Sequence, residues 1–114
     1  MWQFENSITV GSLRANGKFN PGSNYSPEYV HILAPGSDIL STWKGDVQKY
    51  NRLSGTSQAA PMVSAAAALI WAHEPWLTAT QVKERILKAS VKNSKYRRYV
   101  SSGGRLDLVR IFDQ

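Results

Sequence analysis

Between Arg52 and Glu74 the chain carries no charged side chain, and most of that stretch is alanine or larger apolar residues. A helix that is apolar around its whole circumference must lie in a protein core or in lipid. This stretch is too short and too alanine-rich to span a bilayer, which takes about 20 strongly apolar residues. It therefore predicts the core helix of a domain, over about Ser57 to Ala72. Pro61 falls in its first turns, where a missing N–H is tolerated.

The residues that open this helix carry the chemistry. They read Ser54-Gly55-Thr56-Ser57-Gln58-Ala59-Ala60-Pro61. Gly55 permits a turn barred to residues with a Cβ. The helix start then directs free N–H groups and a partial positive charge at whatever sits beside Ser57. That layout suits a serine nucleophile, because an oxyanion forming there meets donors already in position. The competing reading is that Thr56 or Ser57 simply caps the helix.

Further stretches bear on this choice. The segment GTSQAAPMVSAAAALI resembles the nucleophile motif of the subtilisin-like serine peptidases, the subtilases. Ile8-Thr9-Val10-Gly11, Ser23-Asn24-Tyr25, Val30-His31-Ile32-Leu33-Ala34-Pro35-Gly36 and Ile39-Leu40-Ser41-Thr42 resemble segments that precede that motif, in the family's order. Pro75-Trp76-Leu77-Thr78 with Gln81-Val82, and Gly103-Gly104-Arg105-Leu106-Asp107, resemble segments that follow it. The match runs from about Asn6 to about Val109. Gln58, Met62 and Ser26 depart from the residues usual in the family at those positions, and none of these changes touches the nucleophile.

The resemblance implies an α/β fold: the C-terminal portion of a subtilisin-like, parallel-sheet, three-layer domain built around a central buried Ala-rich helix. Residues 1–114 would be a partial catalytic domain, its nucleophile-bearing C-terminal third. It implies serine endopeptidase chemistry on Ser57, whose backbone N–H is also an oxyanion donor, supported by Gly55 and Thr56. The implied partners are a peptide or protein substrate and the remainder of the catalytic domain, in cis or in trans. Localisation is open; the resemblance is compatible with a secreted parent.

A serine nucleophile needs a base and a carboxylate that orients it. In subtilisin-type chains these come before the serine, in the order Asp, His, Ser. Neither histidine, His31 or His73, sits in the family's His-Gly-Thr-His context. Asp38, Asp46, Asp107 and Asp113 lack the Asp-Ser/Thr-Gly setting of the orienting acid. The family's oxyanion Asn also comes from earlier sequence, and Ala15-Asn16-Gly17 reads as a tight turn instead. The isolated chain is therefore expected to be inactive.

The remaining sequence is structural. Ile8–Leu13 and Val30–Ala34 read as short strands of a parallel sheet, a type covered by helices on both faces. With further strands absent, sheet edges would stay unpaired and the apolar helix partly uncovered, so the chain is expected to pack poorly or associate. Trp43-Lys44-Gly45-Asp46 reads as a hairpin turn with Tyr50–Leu53 as the return arm. A second helix is expected over about Thr78 to Ala89, opened by a Thr78/Gln81 capping box. Val82, Ile86 and Leu87 form its apolar stripe, while Lys83, Glu84, Arg85 and Lys88 face water.

Composition narrows the alternatives. One hundred and fourteen residues allow one domain. Without cysteine there is neither a disulfide nor a thiolate metal site. Two scattered histidines do not suggest zinc, no acidic cluster matches a calcium loop, and no cofactor is expected. No secretory signal opens the chain. Of the 14 basic residues behind the net charge of +6, nine lie between Lys83 and Arg110. Lys92, Lys95, Arg97 and Arg98 alternate with Tyr96 and Tyr99, a mix that could meet a nucleic-acid backbone and stack on bases. A solvated basic face is the usual meaning of such a run. Two alternatives thus stand beside the peptidase: a non-catalytic fold fragment or complementing partner, and a basic nucleic-acid-binding module.

Overall fold

Two short apolar strands form the centre of the computed structural model, which describes residues 4–45, 47 and 49–113. Strand β1 (Val10–Leu13) pairs in parallel with β2 (Ile32–Pro35), in register from Val10–Ile32 to Leu13–Pro35. Parallel neighbours need a long crossover. Here it is an irregular segment rather than a helix. It begins at the expected Asn16–Gly17 turn, where Gly17 takes φ 79° and Gly17 N–H donates to the Arg14 carbonyl (3.0 Å).

Strand β6 (Gly104–Arg105) adds to β2 in parallel, and β5 (Val91–Lys92) pairs antiparallel with β6, giving the order β1-β2-β6-β5. These two-residue strands have no readable periodicity in the sequence. Gly104 fits there because a Cβ would stand 2.9 Å from that of Ser90. A separate hairpin pairs β3 (Ile39–Thr42) with β4 (Tyr50–Leu53), as expected. Of its turn, Trp43, Lys44 and Gly45 are described, and Asp46 lies outside the described residues.

All three helices pack into one core cluster. Helix α1 (Thr56–His73) sets Ala59, Val63, Ala66 and Ile70 against Val10, Ile32 and Ala34 of the sheet. Full burial of residues such as Val63 and Ile70 contributes roughly 1.5–3 kcal/mol each. Helix α2 (Ala79–Lys88) adds Val82 and Ile86, and α3 (Leu108–Phe112) adds Ile111. The capping box of α2 is formed as read: Gln81 N–H donates to Thr78 Oγ1 (3.2 Å) and Thr78 N–H to Gln81 Oε1 (2.8 Å). Arg85 does not face water. It is largely buried against Glu74, with which it forms an ion pair.

Among the described residues no α-helix covers the other sheet face. Leu13 and Leu33 are covered there by Val30, Tyr96 and Val100, with Phe19 and Tyr99 packed alongside. Tyr96 ends a short 3₁₀ turn (Ser94–Tyr96) and donates its hydroxyl to the Gly17 carbonyl (2.5 Å).

Burial of α1 is confined to its sheet-facing side. Leu69 is 50 % exposed, whereas Trp71, 40 % exposed, donates its indole N–H to the Leu77 carbonyl (2.8 Å). Strand β1 is the sheet's outer strand. Its Ser12 turns away from β2, donating N–H to Ser23 Oγ (2.8 Å) and accepting from Asn20 N–H (3.1 Å). By strand alternation Val10 presents its backbone groups to the same edge, which Asn20 and Ser23 cover beside Ser12. The β1 edge is therefore partly covered by residues 19–23, while the helix face at Leu69 stays exposed.

Candidate active site

Ser57 is the second residue of α1, and its side chain is exposed. Gly55, at φ 145°, is the residue that precedes the helix, and no side chain caps this terminus. That removes the capping reading: Thr56 and Ser57 lie inside the first turn rather than ahead of it. The Thr56 hydroxyl instead lies 3.4 Å from Asn24 Nδ2, which donates to it. Among the described residues, nothing hydrogen-bonds the Ser57 hydroxyl.

The backbone around Ser57 is arranged to accept negative charge. Gln58 and Ala59 N–H groups donate to the Gly55 carbonyl (3.2 and 3.3 Å). The Thr56 and Ser57 N–H groups have no partner among the described residues, and the first turn contains no acidic residue to neutralise it. Free N–H groups at the positive end of an 18-residue helix stabilise an anion beside them. Pro61 is the sixth helical residue, not part of the opening turn. Its missing N–H is the one that would have bonded the Ser57 carbonyl, so the helix is locally loosened behind the serine.

The turn is held from below by Gly36, at the end of the Ala34-Pro35-Gly36 run. Gly55 N–H donates to the Gly36 carbonyl (2.7 Å), and Gly36 N–H to the Leu13 carbonyl (3.0 Å). A Cβ on Gly36 would stand 2.6 Å from the Gly55 carbonyl oxygen and 2.9 Å from Ala59 Cβ. Ser54 accepts from the Asp38 N–H (2.7 Å), tying the other side of the turn to the start of β3. The sequence reading quoted Gly36 and Asn24 within matching segments but gave neither a role. Their contacts with Gly55 and Thr56 span 19 and 32 residues, beyond what local pattern reports.

No described histidine reaches the serine. His31 is buried just before β2, at the opposite end of that strand from Gly36, about 16 Å away at roughly 3.3 Å per residue. Its Nδ1 accepts the Thr9 N–H (2.9 Å). Burial, then the nearby Lys83 charge, lowers its pKa and keeps the ring neutral. His73 ends α1, about 24 Å along the helix from Ser57 at 1.5 Å per residue. It packs edge-on against Phe112.

The carboxylates are also engaged elsewhere. Asp38 pairs with Arg52 (3.5 Å). Asp107 caps α3 through the Arg110 N–H (2.9 Å), and Asp113 ends that helix. Asp46 lies outside the described residues. Asn16 is spent on its own turn, accepting from Lys18 N–H (2.9 Å). Among the described residues no three His, Cys, Asp or Glu side chains converge as a metal site requires, and no helix is long and apolar enough to cross a membrane.

The elements define an α/β protein in which a glycine turn, seated on a parallel sheet, presents a serine at the start of the helix. The profile of the subtilase family matches residues 2–105, and the chain belongs to that family. Subtilisin-like protease 1 of Plasmodium berghei is 35% identical over 111 residues, which cover 94% of this chain and 18% of that protein. Subtilisin-like protease 3 of Plasmodium falciparum is 38% identical over 112 residues, covering 92% of this chain and 14% of the relative. Among solved structures, the serine protease MycP1 of the type VII (ESX-1) secretion system aligns with a TM-score of 0.79 at 29% identity, over 94% of this chain and 31% of that one. The A-subunit of the AB5 toxin from E. coli gives the same TM-score at 27% identity, over 93% of this chain and 37% of the other. The chain thus spans under a fifth of those two curated relatives and about a third of the solved ones.

Proposed function

We propose that these residues are the nucleophile-bearing C-terminal third of a subtilisin-like serine endopeptidase domain, with Ser57 as the nucleophile. The observation that carries the reading is the exposed Ser57 hydroxyl beside unspent N–H groups at the start of α1. In the complete domain Ser57 Oγ attacks a peptide carbonyl as a base takes its proton. The carbonyl oxygen becomes an oxyanion facing the Ser57 N–H. Collapse expels the amine, protonated by the same base, and leaves an acyl-enzyme that water hydrolyses.

The base, its orienting acid and the side-chain oxyanion donor belong to the remainder of the domain, joined in cis or supplied in trans. The exposed face of α1 at Leu69 favours a role for this chain as one part of such an assembly. Fluorophosphonate labelling read by intact mass tests the reading. The expected result is labelling at Ser57 when the rest of the domain is present, lost in Ser57→Ala. The chain alone is expected to show no turnover of casein. Labelling of the assembled domain that survives Ser57→Ala overturns the assignment, and steady casein cleavage by the chain alone overturns the need for the remainder.

A further inference from the structure

The sheet face opposite the helices carries a cavity of about 1140 Å³. Its aromatic part is Phe19, Tyr25 and Tyr99, and its charged part is Lys18, Lys95 and Arg98. Among the described residues no carboxylate lines it. We propose that this cavity binds an acidic peptide segment, separately from the chemistry at Ser57.

Three features select that occupant. The first is charge: three cations and no anion face one space, so an anionic chain gains from each and is repelled by none. The second is size. Small-molecule pockets run to roughly 300–1,000 Å³, and this open volume exceeds that range, which suits a length of chain. The third is the state of the rings. Phe19 and Tyr99 are stacked on each other at 3.8 Å, nearly parallel, and the Arg98 guanidinium sits 5.9 Å from the Tyr99 centroid. Tyr96 is buried, with its hydroxyl committed to Gly17. The stack thus takes one face each of Phe19 and Tyr99, and Tyr25, 63 % exposed, is left open. That ring stands edge-on to both members of the stack at 5.9 Å. It offers one apolar wall inside a basic rim, which fits a peptide of acidic residues with an apolar side chain among them.

The test uses this chain and a fluorescein-labelled peptide of alternating glutamate and leucine, followed by anisotropy in low salt. Lys95→Glu with Arg98→Glu is expected to weaken binding at least tenfold, and Tyr25→Ala to weaken it several-fold. Ser57→Ala is expected to leave it unchanged, so failure here is distinct from failure of the peptidase reading. A control, Lys88→Glu with Arg110→Glu, changes net charge equally on other elements. Equal loss in the control overturns the site in favour of a general charge effect. Equal binding of the glutamine version of the peptide also overturns it. A single-stranded oligonucleotide that outcompetes the peptide, with loss in Tyr25→Ala, replaces the peptide by nucleic acid and overturns the proposal as stated.

Discussion

Gly36→Ala is predicted to dislodge the turn that presents Ser57, although residue 36 has no side chain and lies 21 positions before the serine. The added Cβ would overlap Ser12 Oγ, and would stand 2.6 Å from the Gly55 carbonyl oxygen and 2.9 Å from Ala59 Cβ. None of these neighbours yields readily. Ser12 is fully buried and accepts a hydrogen bond from Asn20 Nδ2 (3.2 Å). The Gly55 carbonyl anchors the first turn of α1 through Gln58 and Ala59. Relief by moving Gly55 would break its 2.7 Å bond to the Gly36 carbonyl. Overpacking of a filled site costs about 1–3 kcal/mol, and a lost hydrogen bond about 1 kcal/mol more. The expected destabilisation is thus about 2–4 kcal/mol.

Urea unfolding followed by far-ultraviolet circular dichroism, at low protein concentration, reads this directly. Gly22→Ala is the control, since the nearest atom to its Cβ would be Asn20 Oδ1 at 3.9 Å. It should lie within about 0.5 kcal/mol of the parent, as surface changes usually do. In an assembled domain the same Gly36→Ala shift should also cost on the order of 10²-fold in kcat, as a displacement of about 1 Å at a reacting group does. If Gly36→Ala unfolds at the same urea concentration as Gly22→Ala, Gly36 does not seat the turn that presents Ser57.

Other expectations rest on separate parts of the fold. Thr78→Ala should destabilise by about 1 kcal/mol through loss of the α2 capping box, and an unchanged urea midpoint would contradict it. The lowered pKa of His31 makes stability pH-dependent. The unfolded chain binds the proton first, so stability is complete above about pH 6.5 and falls as pH drops below it. His31→Asn should flatten that dependence, and an equally steep decline in the variant would refute the assignment. Leu69→Lys, on the uncovered face of α1, should reduce concentration-dependent association in sedimentation experiments, and unchanged association would exclude that face as the contact.

Short-range chemistry made several elements legible before any coordinates. The charge-free run gave α1 to within a residue at each end, Thr78 and Gln81 gave the start of α2, and Asn16–Gly17 gave the turn. Each depends on residues a few positions apart, whose preferences act in any context. The glycine turn ahead of Ser57 was readable for the same reason, since Gly55, Thr56 and Ser57 are consecutive. Pro61 lies one residue deeper in the helix than its apolar pattern gives, because α1 begins at Thr56.

Long-range packing decided the rest. Apolarity marked all sides of α1 for burial, but only the sheet determines that Ala59, Val63, Ala66 and Ile70 are the side covered. Tyr96 and Tyr99 read as an exposed basic-aromatic run, yet one is core and the other is stacked on Phe19, some 80 residues earlier in the chain. Strands β5 and β6 are two residues long, and they form by β6 pairing with β2 and β5 with β6. Sequence by itself determined the serine, its glycine turn and the helix behind it, because these are set by adjacent residues. Tertiary structure alone decided what holds that turn and which faces stay open, because those depend on contacts between residues far apart in the chain.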